Sequence, residues 1–261
     1  METPHIASSW NGMFLALSCL LAWSASLLAL DLGDRAHKAN GARWGLWWTV
    51  QGFILGYGVW AIQAVDLLIV GRSTGAAYDL NLVLASGVVA VGCTMAALRM
   101  GQTEIWPVRC GGIVLFGLGA YATSLVGMAS VVSGPSGEAA PGSWGLGVSA
   151  VSCSIALWLF TLVNGQRDAW RPTASVRTRT LVALGLSVAV TVSHYSSLST
   201  GSFTGTGDGW LGILGSGVSG LIDATTMVTV VAFATLLMLG VTVLSIVMNS
   251  DGSEVFQEHG G

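Results

Sequence analysis

The sequence predicts an all-α polytopic membrane protein with seven transmembrane helices. Three observations predict it. The 261-residue chain is 52% hydrophobic and 9% charged, where a soluble domain carries roughly a quarter charged residues. Its mean hydropathy is +0.71. Apolar runs of the length a bilayer requires, about 20 residues, fall at about 10–30, 46–70, 80–99, 110–132, 145–164, 179–200 and 222–248. Basic residues concentrate in alternate connections. Helices are expected because backbone in lipid must satisfy its own hydrogen bonds. Barrel strands would alternate polar and apolar residues, and these runs do not.

The segment before span one, "METPHIASS", has no basic region and no cleavage site, so span one is expected to be retained. Arg35, Lys38 and Arg43 follow it. Span two opens on Trp44, Trp47 and Trp48, which read as an interfacial belt. Gly52 and Gly56 set a small-xxx-small spacing, which favours packing within the chain and leaves a homo-oligomer as the alternative. Arg99 and Arg109 flank the connection after span three. Arg167, Arg171, Arg177 and Arg179 follow span five, and Arg72 stands alone on the other side. This asymmetry places the N-terminus outside and the C-terminus in the cytoplasm, as in a multi-pass protein of the bacterial inner membrane. The glycine-rich stretch 201–221, with Gly212, Ser216 and Gly220 in small-xxx-small spacing, reads as an outer lid or loop. Asp223 suits the N-terminus of span seven. One membrane domain is expected over 1–250, then a short acidic disordered tail over 251–261. That tail is too short for an enzyme or an output module.

Several functions are excluded. Lys38 is the only lysine, so no span can hold retinal as a Schiff base. The outer loops carry no HExxH, nucleophile elbow or phosphate-binding loop. No enzyme and no catalytic residue is therefore expected. There is no basic patch of the kind nucleic acid requires. Cys19, Cys93 and Cys153 lie inside spans and Cys110 at an edge, without CxxC spacing. They read as small residues in helix contacts.

Three repeated units run through spans one to six. Each is a helix, a basic connection and a returning helix that ends in a polar-punctuated stretch. The returning helices read "GFILGYGVWAIQAVDLLIVG", "GGIVLFGLGAYATSLVGMAS" and "LVALGLSVAVTVSHYSSLST". Their polar stretches carry Gln63 and Asp66, then Ser124, then His194 with Tyr195. Polar residues inside a membrane are costly and mark functional sites by default. Residues three and four apart share a helix face, so Gln63 with Asp66, and Ser124 with Met128, each face one way. Converging faces would enclose a small polar site in the outer half of the bundle. A lone buried carboxylate and a lone buried imidazole are each costly. Pairing Asp66 with His194 relieves both, and predicts one cluster of Gln63, Asp66, Ser124, His194 and Tyr195.

At these residues the sequence resembles the MHYT-domain membrane proteins. That family carries three copies of a Met-His-Tyr-Thr-Gly-Met-like motif near the outer ends of alternate helices. The resemblance spans nearly the whole chain. It includes the "LDLGDR" turn after span one, "GYGVWAIQ", "IALWL" in span five and "LGLSVAVTVSHY". It implies a sensory domain whose histidines and methionines bind copper, for detection of oxygen, carbon monoxide or nitric oxide. Many members are fused to cyclic-di-GMP or kinase output domains. Here the motifs read Ile62-Gln63-Ala64-Val65-Asp66-Leu67, Thr123-Ser124-Leu125-Val126-Gly127-Met128 and Ser193-His194-Tyr195-Ser196-Ser197-Leu198. Of the family's Met and His positions only Met128 and His194 remain. Two soft ligands rarely suffice for a tight copper site. No resident cofactor is expected, and copper is the ion the surviving pair would take.

The sequence therefore predicts a membrane sensory or signalling protein that works through a separately encoded protein partner. A non-catalytic scaffold subunit of a membrane complex is the alternative. A proton-coupled transporter comes third, since no helix is broken at the midplane.

Overall fold

The computed structural model describes residues 12–39, 42–74, 77–131, 138–140, 143–164, 175–199, 202–204, 221–223, 225–233, and 235, 236, 238 and 240. The elements in chain order are α1 (Gly12–Lys38), α2 (Ala42–Thr74), β1 (Tyr78–Asp79), α3 (Leu80–Gly101), α4 (Trp106–Ala129), β2 (Glu138–Ala140), α5 (Ser143–Asn164), α6 (Val176–Ser199), β3 (Ser202–Thr204) and β4 (Leu221–Ile222). A further helical stretch, α7, covers 225–233.

Local chemistry sets the helix ends. The Asp79 side chain accepts from the backbone N–H groups of Asn81 and Leu82 and caps α3, the role short polar side chains fill before a first turn. Pro107 stands in the first turn of α4, where its missing N–H costs nothing. That moves the start of α4 ahead of the expected position near 110. Ser175 accepts from the Thr178 N–H at 3.2 Å and starts α6, again earlier than the expected 179. The "LDLGDR" segment, expected as a turn, is the last part of α1. The Arg35 guanidinium reaches back to the Asp31 carboxylate at 2.8 Å, an i,i+4 pair that favours continued helix.

Four helical segments are long and apolar enough to cross a membrane: Leu80–Gly101, Trp106–Ala129, Leu146–Val163 and Val176–Ser196. By that length and composition the chain is a membrane protein. The helices pack in chain order, each on the next, and α6 packs back on α1 to close a six-helix ring. Within it α2, α4 and α6 also touch one another pairwise. The fold is all-α as expected, with only two- and three-residue strands among the described connections. β1 pairs antiparallel with β4, and β2 with β3, so short two-stranded ladders tie the connections together at one end of the bundle.

Small residues let the ring close at equivalent places. Counting seven positions back from Gln63, Ser124 and His194 gives Gly56, Gly117 and Ser187. A Cβ on Gly56 would stand 2.6 Å from the Val91 Cα on α3, and one on Gly117 2.9 Å from the Ala150 Cα on α5. Ser187 donates to the Cys19 carbonyl on α1 at 2.8 Å. Each returning helix thus meets the first helix of the next unit through one small residue, and the third unit meets the first. Gly52, too, packs within the chain, against Met95. The segment with Gly212, Ser216 and Gly220, and the tail 251–261, lie outside the described residues.

The expected tryptophan belt is different in kind. Trp47 and Trp48 are buried. Arg35 lies over the Trp47 ring at 5.7 Å and Arg99 over Trp44 at 4.9 Å. The Trp48 indole N–H donates to Gln102 at 2.8 Å. Arginine stacking and a hydrogen bond hold these rings inside the bundle. Trp60 is also internal, donating to Ser86 at 3.0 Å. Among the described residues Trp106 and Trp158 are exposed.

Candidate functional site

The inner faces of α2, α4 and α6 bring three of the expected residues together in the C-terminal half of each helix. Gln63, Ser124 and His194 are 2%, 4% and 5% exposed. The Gln63 amide Nε2 donates to the Ser124 carbonyl at 3.4 Å. The Ser124 Oγ lies 3.1 Å from the His194 Nδ1, and 3.3 Å from the Ala120 carbonyl of its own helix. One hydroxyl has one proton to give. Either Ser124 donates to the imidazole, or it donates to Ala120 and receives the Nδ1–H of the other tautomer. The bond across the helices survives both arrangements, so imidazole and hydroxyl can exchange roles without moving apart.

Tyr195 is partly buried, its ring edge-on to the His194 ring at 5.5 Å. Met128 is partly buried, one turn beyond Ser124 on α4. The Asp66 side chain lies outside the described residues. Among the described residues no three His, Cys, Asp or Glu side chains gather to hold a metal ion.

Two parts of the site were not visible as motifs. Next to His194, Ser193 donates to Ser149 at 2.5 Å, and Ser149 lies 3.2 Å from the Gly117 carbonyl as its donor. Buried hydroxyls thereby fasten α6 to α5 and α5 to α4 beneath the site. Gly127 lies against the Gln63 amide: a Cβ there would come within 1.4 Å of Nε2. The signal for both was present as small residues near the motifs, but spacing alone does not say which helix a small residue meets. The cysteines serve as contacts. Cys93 faces Gly119, and Cys153 lies 3.8 Å from the Ala189 carbonyl. Asp223 caps α7, accepting from the Thr226 N–H at 3.0 Å and its hydroxyl at 2.6 Å.

The chain is similar to the bifunctional diguanylate cyclase/cyclic di-GMP phosphodiesterase MucR of Pseudomonas aeruginosa, 32% identical over 225 residues. The match covers 80% of this chain and 32% of that protein, so the chain spans about a third of the length of the relative it matches. No family model matches the chain, and no solved structure matches it.

Proposed function

We propose that this chain is a membrane sensory unit, a divergent member of the MHYT-domain family. It would span the bacterial inner membrane seven times, with its N-terminus outside. Its input site is the polar set of Gln63, Asp66, Ser124, His194 and Tyr195, which receives a small ligand or a proton. It has no catalytic chemistry of its own and passes the signal to a protein partner. The similarity to a protein named for making and degrading cyclic di-GMP supports a partner that handles that nucleotide.

One observation carries this reading. A single hydrogen-bonded series, Gln63 to Ser124 to His194, joins three helices that belong to three successive units. A ligand that takes over any one of these bonds acts on all three helices at once, and packed helices respond by discrete shifts. Asp66 is included because it stands three residues after Gln63, on the same helix face.

The test uses cells expressing the full chain, with cyclic di-GMP measured inside them. The wild-type chain is expected to change the nucleotide level at least twofold, and His194→Ala to abolish the change while the protein still accumulates in the membrane. Copper is measured on the purified protein and on the variant. Stoichiometric copper that is lost with His194 identifies the metal as the ligand. An unchanged nucleotide response in His194→Ala, with only a lower melting temperature, would hand the site to the scaffold reading.

A further inference from the structure

Gln63 is the longest of the three side chains that meet at the centre. Its amide crosses directly over α4 to reach the Ser124 carbonyl. It can do so because residue 127 is glycine. A Cβ built there would lie 1.4 Å from Nε2, 2.4 Å from Cδ and 3.2 Å from Cγ of Gln63. The smallest possible side chain would therefore occupy the space that the amide now fills. Gly127 is itself buried, so the displaced amide could not move outward into solvent. The Gln63 Oε1 is buried and has no hydrogen-bond partner among the described residues. The Nε2 bond to the Ser124 carbonyl is what holds the amide, and the bare backbone of Gly127 is what leaves room for it.

We infer that Gly127 is the positioning residue that delivers the Gln63 amide into the site. It determines which side chain α2 can present there. This rests on the proposed role of the Gln63–Ser124–His194 set as the input site. Three residues beyond each site position stand Asp66, Gly127 and Ser197. Only the middle unit has a glycine at this place, and it is the one that faces the long amide. Ser124 is short and needs no such clearance. Residue size at 127 and side-chain length at 63 are thus one coupled choice.

A size-swap cycle tests this, using the full-length protein in detergent. Gly127→Ala is expected to lower the melting temperature by about 5 °C, the scale of an overpacked core position. Gln63→Ala removes the obstacle. The double variant Gln63→Ala with Gly127→Ala is therefore expected to recover more than half of that loss. The ring-nitrogen NMR signals of His194, assigned with His194→Ala, supply a readout that stability alone does not move. Gly127→Ala is expected to shift them to the position they take in Gln63→Ala, since both variants remove the amide from Ser124. Losses that simply add in the double variant, or His194 signals unmoved by Gly127→Ala, would overturn the inference. If Gly127→Ala does not accumulate, the double variant must, and failure of both also overturns it. None of these measurements reads signalling, so a failed swap leaves the test of His194 in cells standing, and the reverse.

Discussion

The two ends of the bundle are held together in different ways. Where α2, α4 and α6 meet at the polar site, the bonds are buried, and each closes on a helix backbone or on a neighbouring helix. Ser124 bonds His194, Ser193 bonds Ser149, and small residues let backbones touch. At the basic end the contacts are made by long side chains. Arg99 and Arg35 stack on tryptophans, and Arg179 meets Asp34 at 2.6 Å with 24% and 34% of the side chains exposed. Charges at a wet surface are worth little, while unsatisfied polar groups in a dry interior are expensive. The difference teaches where this molecule is sensitive. The buried end can store the consequence of losing one bond, whereas the basic end can absorb such a loss.

The largest effect is expected from the close approaches that shape the buried end. Gly56→Val forces a branched side chain against the backbone of α3 at Val91. Helix separation, not a side-chain rotation, must give way, and the expected loss is about 3 kcal/mol. Thermal melting in detergent checks it. A variant as stable as wild type would show that α2 and α3 have slack, and the contrast between the two ends would then rest on hydrogen bonds alone.

Ser124→Val comes next. Valine removes the hydroxyl and has the shape of threonine, so the Val and Thr variants differ only in the hydroxyl that lies 3.1 Å from the His194 Nδ1. Breaking a buried hydrogen bond costs about 1–3 kcal/mol. Ser124→Thr keeps the hydroxyl and is expected to retain most of the stability. Equal melting temperatures for the Val and Thr variants would mean that the bond across α4 and α6 contributes nothing.

These variants also mark how much the sequence disclosed. The helices were legible because apolar runs of bilayer length have one structural solution. Gln63, Ser124 and His194 were legible as the polar residues of three similar units, and the structure brings them into one hydrogen-bonded series. The role of Gly127 was not legible. Its motif position was plain, but only the crossing of α2 over α4 shows that the residue opposite is Gln63. Trp47 and Trp48 misled for a related reason. An aromatic cluster at a span end resembles a lipid belt, and it takes the arginines of two other helices to draw the rings inward. The strand pairs were hidden because β1 to β4 are two or three residues long, too short for any alternation to register. The paired carboxylate expected at Asp66 lies among the side chains the structure does not describe.

At the basic end the expected effects shrink. Trp48→Phe keeps an aromatic ring beneath Arg99, at 6.0 Å from its guanidinium, and removes the indole donor to Gln102. The loss is one hydrogen bond, about 1 kcal/mol. Gln102→Leu in the same background should then add little, because the two changes remove the same bond. A double-variant cycle that shows no coupling would place the stabilising role of Trp48 in its packing.

The smallest effect separates the two ends most cleanly, because it depends on salt. Arg179 and Asp34 join the first turn of α6 to the last turns of α1 and so help close the ring. Both side chains are partly exposed, which discounts the pair to about 0.5 kcal/mol. Asp34→Asn keeps the shape and removes the charge. At low ionic strength the variant should melt about 1–2 °C below wild type. The gap should close as salt is raised through about 0.5 M, where screening acts over a few ångströms. The loss in Ser124→Val should not respond to the same salt, since its bond is buried and uncharged. A salt-independent loss at Asp34 would mean that the pair is shielded from water in the lipid headgroup region. The basic end would then share the sensitivity of the buried one, and ring closure between α6 and α1 would become a second place where a signal can act.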